Sequence, residues 1–440
     1  MENHATGGYR GVSVELLAKY KVSVGDNIKI LTDDGHLSGV LMPRYESASD
    51  EYISIKLKSG YNTGVKIDRI KSIEADESGP APQQTEYQRI PENKKEKALP
   101  RIALISTGGT IASKIDYRTG GVHAALSASE LYESVPELAN HALVEPEVLL
   151  TEYSENLKPV HWTMIAGKIA EKIKTGKYHG IVVTHGTDTM HYTAAALSFA
   201  LQGLPIPVVL VGAQRSSDRP SSDAPLNLLG SVVFAAKSEF AGVFVAMHAA
   251  ASDTAIACHV GTRVRKNHTS RRDAFESIDT NPVALVENGK IETQKSWIKL
   301  QKRSKGSLLV KTNFDDRVSL LKYYPGFNPK LIEHAAKVDR AIILEGTGLG
   351  HISKDCFPAL KKAIDAGVLV CMTSQCIWGR VRMTVYDTGR DLLDIGVVPL
   401  SDMISETATV KAMWALANTN DARKAMQENL ANEISATIPL

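Results

Sequence analysis

RIALISTGGTIAS, residues 101–113, decides how the rest of the chain is read. Arg101–Ser106 is an apolar run of strand length, and it enters a turn built on Gly108 and Gly109. Glycine permits the sharp reversal, and Thr107 and Thr110 bracket the pair with hydroxyls. A phosphate-cradling loop of the form G-x-x-x-x-G-K-[ST] needs a lysine that is absent here. The strand therefore ends in hydroxyl chemistry.

Similar apolar runs recur downstream. GIVVTHG (180–186), PVVLVGA (207–213), GVFVAMH (242–248), RAIILEG (340–346) and GVLVCMTS (367–374) alternate with stretches of helical period. Runs this continuously apolar are expected of parallel strands covered on both faces, and the alternation predicts a doubly wound α/β unit. SASE (127–130) has the Ser-x-x-Glu form of a capping box and predicts a helix start at Ser127. Residues 295–329 break the rhythm and are read as the join between a large domain, 101–310, and a smaller one, 311–440. The basic residues there, Lys299, Lys302, Arg303 and Lys305, read as a solvated face, with RNA contact as the alternative.

Upstream, residues 1–75 carry short alternating runs such as NIKILT (27–32), HLSGVLM (36–42) and YISIKL (52–57). Turn residues punctuate them, which predicts a small β-barrel domain that binds RNA or packs on a partner. Residues 76–100, rich in Pro, Gln, Lys and Glu, read as a linker, and Lys94, Lys95 and Lys97 belong to that solvated stretch. The whole chain has 440 residues, 43% hydrophobic and 23% charged, with a net charge of +2. Such a balance gives no general electrostatic case for nucleic acid or membrane binding. The first residues lack the apolar core of a signal peptide, and no run of about 18 apolar residues is present. Four scattered cysteines form no C-x-x-C pair, which argues against a disulfide scaffold or zinc site and for a reducing cytoplasm.

In open α/β sheets ligands bind beyond the carboxyl ends of the strands. Two stretches put reactive side chains there: TGGTIAS, with Thr110, and VVTHGTDTM (182–190), with Thr187 and Asp188. A threonine hydroxyl needs a base or charged network to attack a carbon. Lys266, in GTRVRKNHTS (261–270), is the candidate third member, since a lysine shielded from water can give up its proton. Taken singly, Thr187 and Asp188 serve equally well as helix caps, and Lys266 among Arg263, Arg265, Arg271 and Arg272 reads as an exposed loop lysine. His185 and His191 are not spaced as helical metal ligands, and GTGLG (346–350) lacks the third glycine of a dinucleotide loop.

ISTGGTIAS and VVTHGTDTM together resemble the two signature stretches of the bacterial-type L-asparaginase and glutaminase family. The resemblance runs from about Arg101 onward and includes VGAQRSSDRPSSDAPLNLLGS (211–231) and TSQCIWGRVRMTVYDTG (373–389). It implies an asparaginase-like two-domain α/β fold in which Thr110 is the nucleophile that forms an acyl-enzyme and releases ammonia. Thr187, Asp188 and Lys266 match the activating triad. Tyr117 matches the tyrosine of the family's substrate loop, and Ser154 with Glu155 matches the pair that holds the substrate's α-carboxylate and α-amino groups. The family often has glutamine at the second of these positions, so Glu155 is a departure. A β-rich domain and linker ahead of TGGT resemble the D-subunit branch of this family, found in archaeal glutamyl-tRNA(Gln) amidotransferases. That branch implies hydrolysis of L-glutamine, with L-asparagine as the other candidate donor. It also implies a homodimeric core and a heterotetramer with an E subunit that uses ATP and Mg to amidate Glu-tRNA(Gln). No cofactor or metal is implied for the chain itself. A free-standing asparaginase with an added domain and a non-catalytic RNA-binding scaffold are the competing readings.

Overall fold

The computed structural model describes residues 8–33, 35–42, 44, 49–57, 62–75, 99–108, 113–115, 122–124, 135–215, 222–304, 306 and 308–435. The predicted linker (but for its last two residues), the helix start at Ser127, and both Thr110 and Tyr117 lie outside these residues.

Helix α1 (Val12–Lys19) precedes β1 (Asn27–Thr32), β2 (Gly35–Leu41), β3 (Tyr52–Leu57), β4 (Asn62–Lys66) and β5 (Ile70–Ala75). These strands form an antiparallel sheet in the order β4-β3-β2-β1-β5. Strict alternation sends Ile28 and Ile30 inward while Lys29 faces water. Their partners in the core are Leu41, Ile53, Ile55, Val65 and Ile73, and Leu17 of α1 closes it.

The large domain begins with β6 (Arg101–Ser106), a short ladder of β7 (Ser113–Ile115) with β8 (Val122–Ala124), and β9 (Leu143–Val148). Next come α2 (Pro159–Lys174), β10 (Gly180–Thr184), α3 (Met190–Ala200), β11 (Leu201–Gln202), β12 (Pro207–Val211), α4 (Ala224–Lys237) and β13 (Phe240–His248). They are followed by β14 (Ile256–Val260), β15 (Val264–Lys266), β16 (Phe275–Ser277), β17 (Ala284–Glu287), β18 (Lys290–Thr293) and β19 (Gln301–Lys302). Strands β9, β6, β10, β12 and β13 lie side by side in parallel. Alternate residues of each strand enter opposite cores. Ile102, Leu104, Val182 and Val209 pack with Leu228, Val232 and Phe234 of α4. Ala103, Ile105, Ile181 and Val183 pack with Ile165 and Ile169 of α2 and Leu197 of α3. Burial of both faces explains why these strands show no polar alternation.

The parallel expectation stops at β13. Its far edge pairs antiparallel with β14, which continues antiparallel into β17 and β18. These connections are short hairpins and excursions, with no crossover helix, so the chain reverses at each step.

A two-residue ribbon joins β11 to β20 (Leu309–Val310). The smaller domain contains β21 (Val318–Lys322), α5 (Lys330–Val338), β22 (Ala341–Gly346), α6 (Phe357–Asp365), β23 (Leu369–Ser374), α7 (Asp387–Asp394) and β24 (Val398–Pro399), then α8 (Ser405–Asn418) and α9 (Ala422–Gln427). Its four strands are parallel in chain order. Helix α8 is buried on most of its circumference, because it lies between the two domains. There Trp414 and Ala408 share one apolar cluster with Phe199 and Trp162 of the large domain. Arg303 is no solvated cation. Its guanidinium donates to the carbonyls of Ser238 (2.5 Å), Ala235 (2.7 Å) and His179, and so fastens the joining segment to the large domain. Among the described residues no helix is long and apolar enough to cross a membrane.

Candidate active site

The parallel strands run in space in the order second, first, third, fourth, fifth, so successive connections leave β6 on opposite sides. The crevice between β6 and β10 is therefore the topological switch point, where an open sheet accommodates a ligand. Ser106 and Thr184 are register partners at its mouth. Just beyond, the Thr107 amide and hydroxyl both donate to the Thr184 carbonyl, at 3.1 and 2.8 Å. Thr107 is spent on holding the strands together. Gly108 has φ +119, and a Cβ there would stand 2.1 Å from the Glu152 carbonyl oxygen. Only glycine lets the turn press against the chain that leaves β9, where the Leu149 and Leu150 amides donate to the Ser106 carbonyl.

Across the crevice, His185 is buried, and burial pushes its pKa down to about 4. The neutral ring places Nδ1 2.6 Å from the Gly186 carbonyl and Nε2 2.8 Å from Thr193 Oγ1. A carbonyl only accepts, so Nδ1 carries the proton and Nε2 accepts from Thr193. The ring thereby fixes the turn that presents the next two residues. Gly186 has no room for a side chain: its Cβ would lie 2.9 Å from Ser154 Cβ and Oγ. Ser154 is buried in a short 3₁₀ turn, and its carbonyl accepts from Thr189 Oγ1 at 2.7 Å. Glu155, the next residue, is exposed.

Thr187, Asp188 and Lys266 meet. Lys266 Nζ donates to Thr187 Oγ1 at 2.9 Å and to Asp188 Oδ1 at 2.7 Å. The lysine side chain is 9% exposed and the aspartate 67%, so the carboxylate is open to solvent while the cation is withdrawn. Because Thr187 Oγ1 accepts from the lysine, its own proton is free to point toward a reacting group. The arrangement can carry a proton between hydroxyl and amine beside a compensating negative charge. The capping alternative is not what these residues do. The N-cap of α3 is Thr189, and Thr187 and Asp188 precede it.

Lys266 is a strand residue, paired with Phe275, not the exposed loop lysine that four neighbouring arginines imply. Arg263 is fully buried, 3.1 Å from Asp402 Oδ2, and Arg265 lies 2.7 Å from Glu406 Oε1. Asp402 and Glu406 belong to the other domain, some 140 residues further along the chain, so no local pattern marks them. Among the described residues no group of three or more His, Cys, Asp or Glu side chains is arranged to hold a metal ion.

Residues 101–299 match the family described as Asparaginase, N-terminal, and residues 317–428 match the Glutaminase/Asparaginase C-terminal domain. Residues 22–75 match the GatD N-terminal domain. The chain is 47% identical over 430 residues to the D subunit of the glutamyl-tRNA(Gln) amidotransferase of Pyrococcus furiosus, covering 96% of this chain and 97% of that one. The D subunit from Methanopyrus kandleri is 44% identical over 437 residues, covering 97% and 94%. Among solved structures, the thermostable L-asparaginase from Thermococcus kodakarensis superposes with a TM-score of 0.68 at 34% identity, over 77% of this chain and all of that one. L-asparaginase I from Vibrio cholerae gives 0.67 at 29% identity, over 77% of this chain and 99% of that one.

Proposed function

The chain belongs to the D-subunit family of glutamyl-tRNA(Gln) amidotransferases, and from that premise we propose that it is the amide-hydrolysing component of such an enzyme. Its substrate is L-glutamine, and its product is ammonia delivered to an E subunit that converts Glu-tRNA(Gln) to Gln-tRNA(Gln). The chain binds no cofactor of its own. ATP and Mg act at the partner, around a homodimeric core of this chain, in the cytoplasm.

The Thr110 hydroxyl attacks the side-chain amide carbon of glutamine. Its proton passes to the leaving nitrogen, ammonia departs, and a glutamyl ester of Thr110 remains. Water then adds to the ester, glutamate is released, and the Thr110 hydroxyl is restored. Thr187, Asp188 and Lys266 relay the proton in both halves, since a hydroxyl nucleophile is weak without such help. Ser154, Glu155 and Tyr117 bind the substrate's polar ends and cover it.

The observation that carries this reading is the Lys266 nitrogen held between Thr187 Oγ1 and Asp188 Oδ1 at the mouth of the switch-point crevice. The test is amidation of Glu-tRNA(Gln) by the chain together with its partner. Thr110→Ala abolishes amidation with glutamine and keeps it with added ammonium. Failure of ammonium to restore the product refutes the assignment. The likeness to the Thermococcus kodakarensis L-asparaginase favours one second reading, a free-standing asparaginase. Rapid asparagine hydrolysis by the chain alone, without tRNA, would establish it instead.

A further inference from the structure

The strand that carries Lys266 and the turn leading into it are held from the opposite domain at three points within four residues. Thr262 Oγ1 donates to the Ala431 carbonyl at 2.8 Å, and the Thr262 carbonyl accepts from Thr407 Oγ1 at 2.9 Å. Arg263 Nε donates to the Asn432 carbonyl at 2.8 Å, and its Nη1 donates to the Asp402 carbonyl and Oδ2, both at 3.1 Å. The guanidinium lies over the Trp297 ring, 5.0 Å from its centroid. Arg265 closes the series on Glu406. Thr262, Arg263, Asp402 and Thr407 are all buried.

The acceptors are themselves tied down. Asp402 receives the Ser435 amide at 3.1 Å and the Ser435 hydroxyl, and Arg380 donates to Ser435 Oγ at 2.9 Å. Glu433, inside the same segment, forms a fully buried pair with Lys411 of α8 at 2.5 Å. Residues 430–435 thus run between the domains, fixed to the smaller one, and offer two successive carbonyls to Thr262 and Arg263. Arg263 is the residue directly before β15, three positions from Lys266, so a shift of the turn that enters the strand is carried to the lysine.

We propose that Arg263, Thr262 and the Leu430–Ser435 segment are positioning elements for amide hydrolysis, setting where Lys266 Nζ stands relative to Thr187 and Asp188. The site in the large domain is then completed by a register read from the smaller domain. The idea rests on the role given above to Lys266. A tie that serves only to join domains would contribute to stability and leave the chemical step untouched. A positioning tie acts on the step itself, because misplacement by about 1 Å costs up to about a hundredfold in rate.

The test uses the full chain assembled with its partner and reads ammonia release from glutamine as kcat, KM and the pH profile of kcat, with melting temperature alongside. Thr262→Val and Thr407→Val each remove one hydroxyl donor and keep side-chain volume; Arg263→Lys keeps the charge and removes the bond to Asn432. In each, kcat falls about tenfold or more while KM stays within about twofold, and the pH profile changes shape. If Arg263→Lys does not fold, the two threonine variants decide. A lowered melting temperature with parental kcat and pH profile in both threonine variants overturns the positioning role, provided Lys266→Met is inactive. Parental activity in Lys266→Met overturns the triad, and the positioning role with it.

Discussion

Thr107 and Thr184 join the two strands that flank the crevice at the point where it opens, through a buried hydroxyl-to-carbonyl bond of 2.8 Å. The bond lies three residues before the proposed nucleophile, at the base of the turn that must present it.

Thr107→Val keeps the shape and deletes the donor. The Thr184 carbonyl retains the Thr107 amide at 3.1 Å, so the expected loss is only about 1 kcal/mol. Loosening the base of the turn lowers kcat for amide hydrolysis, and Thr107→Ser restores it. Equal kcat in the valine and parent proteins would show that the turn is held by other means. Urea unfolding and initial-rate assays measure the two effects separately.

Lys411 and Glu433 have no exposure, and burial pushes the Lys411 pKa down against the opposing pull of the carboxylate. Glu433 also accepts from the Leu430 and Ala431 amides. Lys411→Met leaves a buried carboxylate without its cation and should cost about 3–5 kcal/mol. Adding Glu433→Gln removes the orphan charge and keeps an oxygen for those amides, so the double variant should regain most of the loss. Chemical denaturation of the two variants decides this, and equal stability of single and double variants would refute it.

Three buried histidines set the acid limit. Burial lowers His185, His191 and His259 from the ordinary 6.5 to about 4. Between those values the unfolded chain binds protons that the folded chain refuses. Stability is therefore full above pH 6.5 and declines as pH falls toward 4, by roughly 1 kcal/mol per pH unit for each ring. Among the described residues His259 Nε2 has no hydrogen-bond partner, while Nδ1 lies 2.8 Å from Ser277 Oγ. In His259→Asn the decline should be shallower by one ring's share, read as urea midpoints across this range. An unchanged slope would assign the acid sensitivity elsewhere.

The strands of the parallel sheets were legible because they are buried on both faces, and RIALIS or GIVVT has few other uses. The reversal after β13 was not, since an antiparallel strand covered on both sides has the same composition as a parallel one. Thr187, Asp188 and Lys266 were legible as a set, through the family resemblance, although Lys266 alone looked like part of a charged loop. Arg263 and Arg265 carried no such signal. A buried arginine and a solvated one are the same letter, and what separates them here is Asp402 and Glu406, supplied by a distant part of the chain.

That distance also has a consequence in time. Arg263 and the carbonyl of Asn432 are 169 residues apart. At synthesis rates of about 5–20 residues per second, roughly ten to thirty seconds separate their appearance. The large domain can collapse around its parallel sheet in that interval, with the Lys266 strand still lacking its far anchors. A growing chain would then hold a built scaffold whose Lys266 strand is not yet tied to the smaller domain. On the proposal above, the site is completed only when the last residues of the smaller domain have been made.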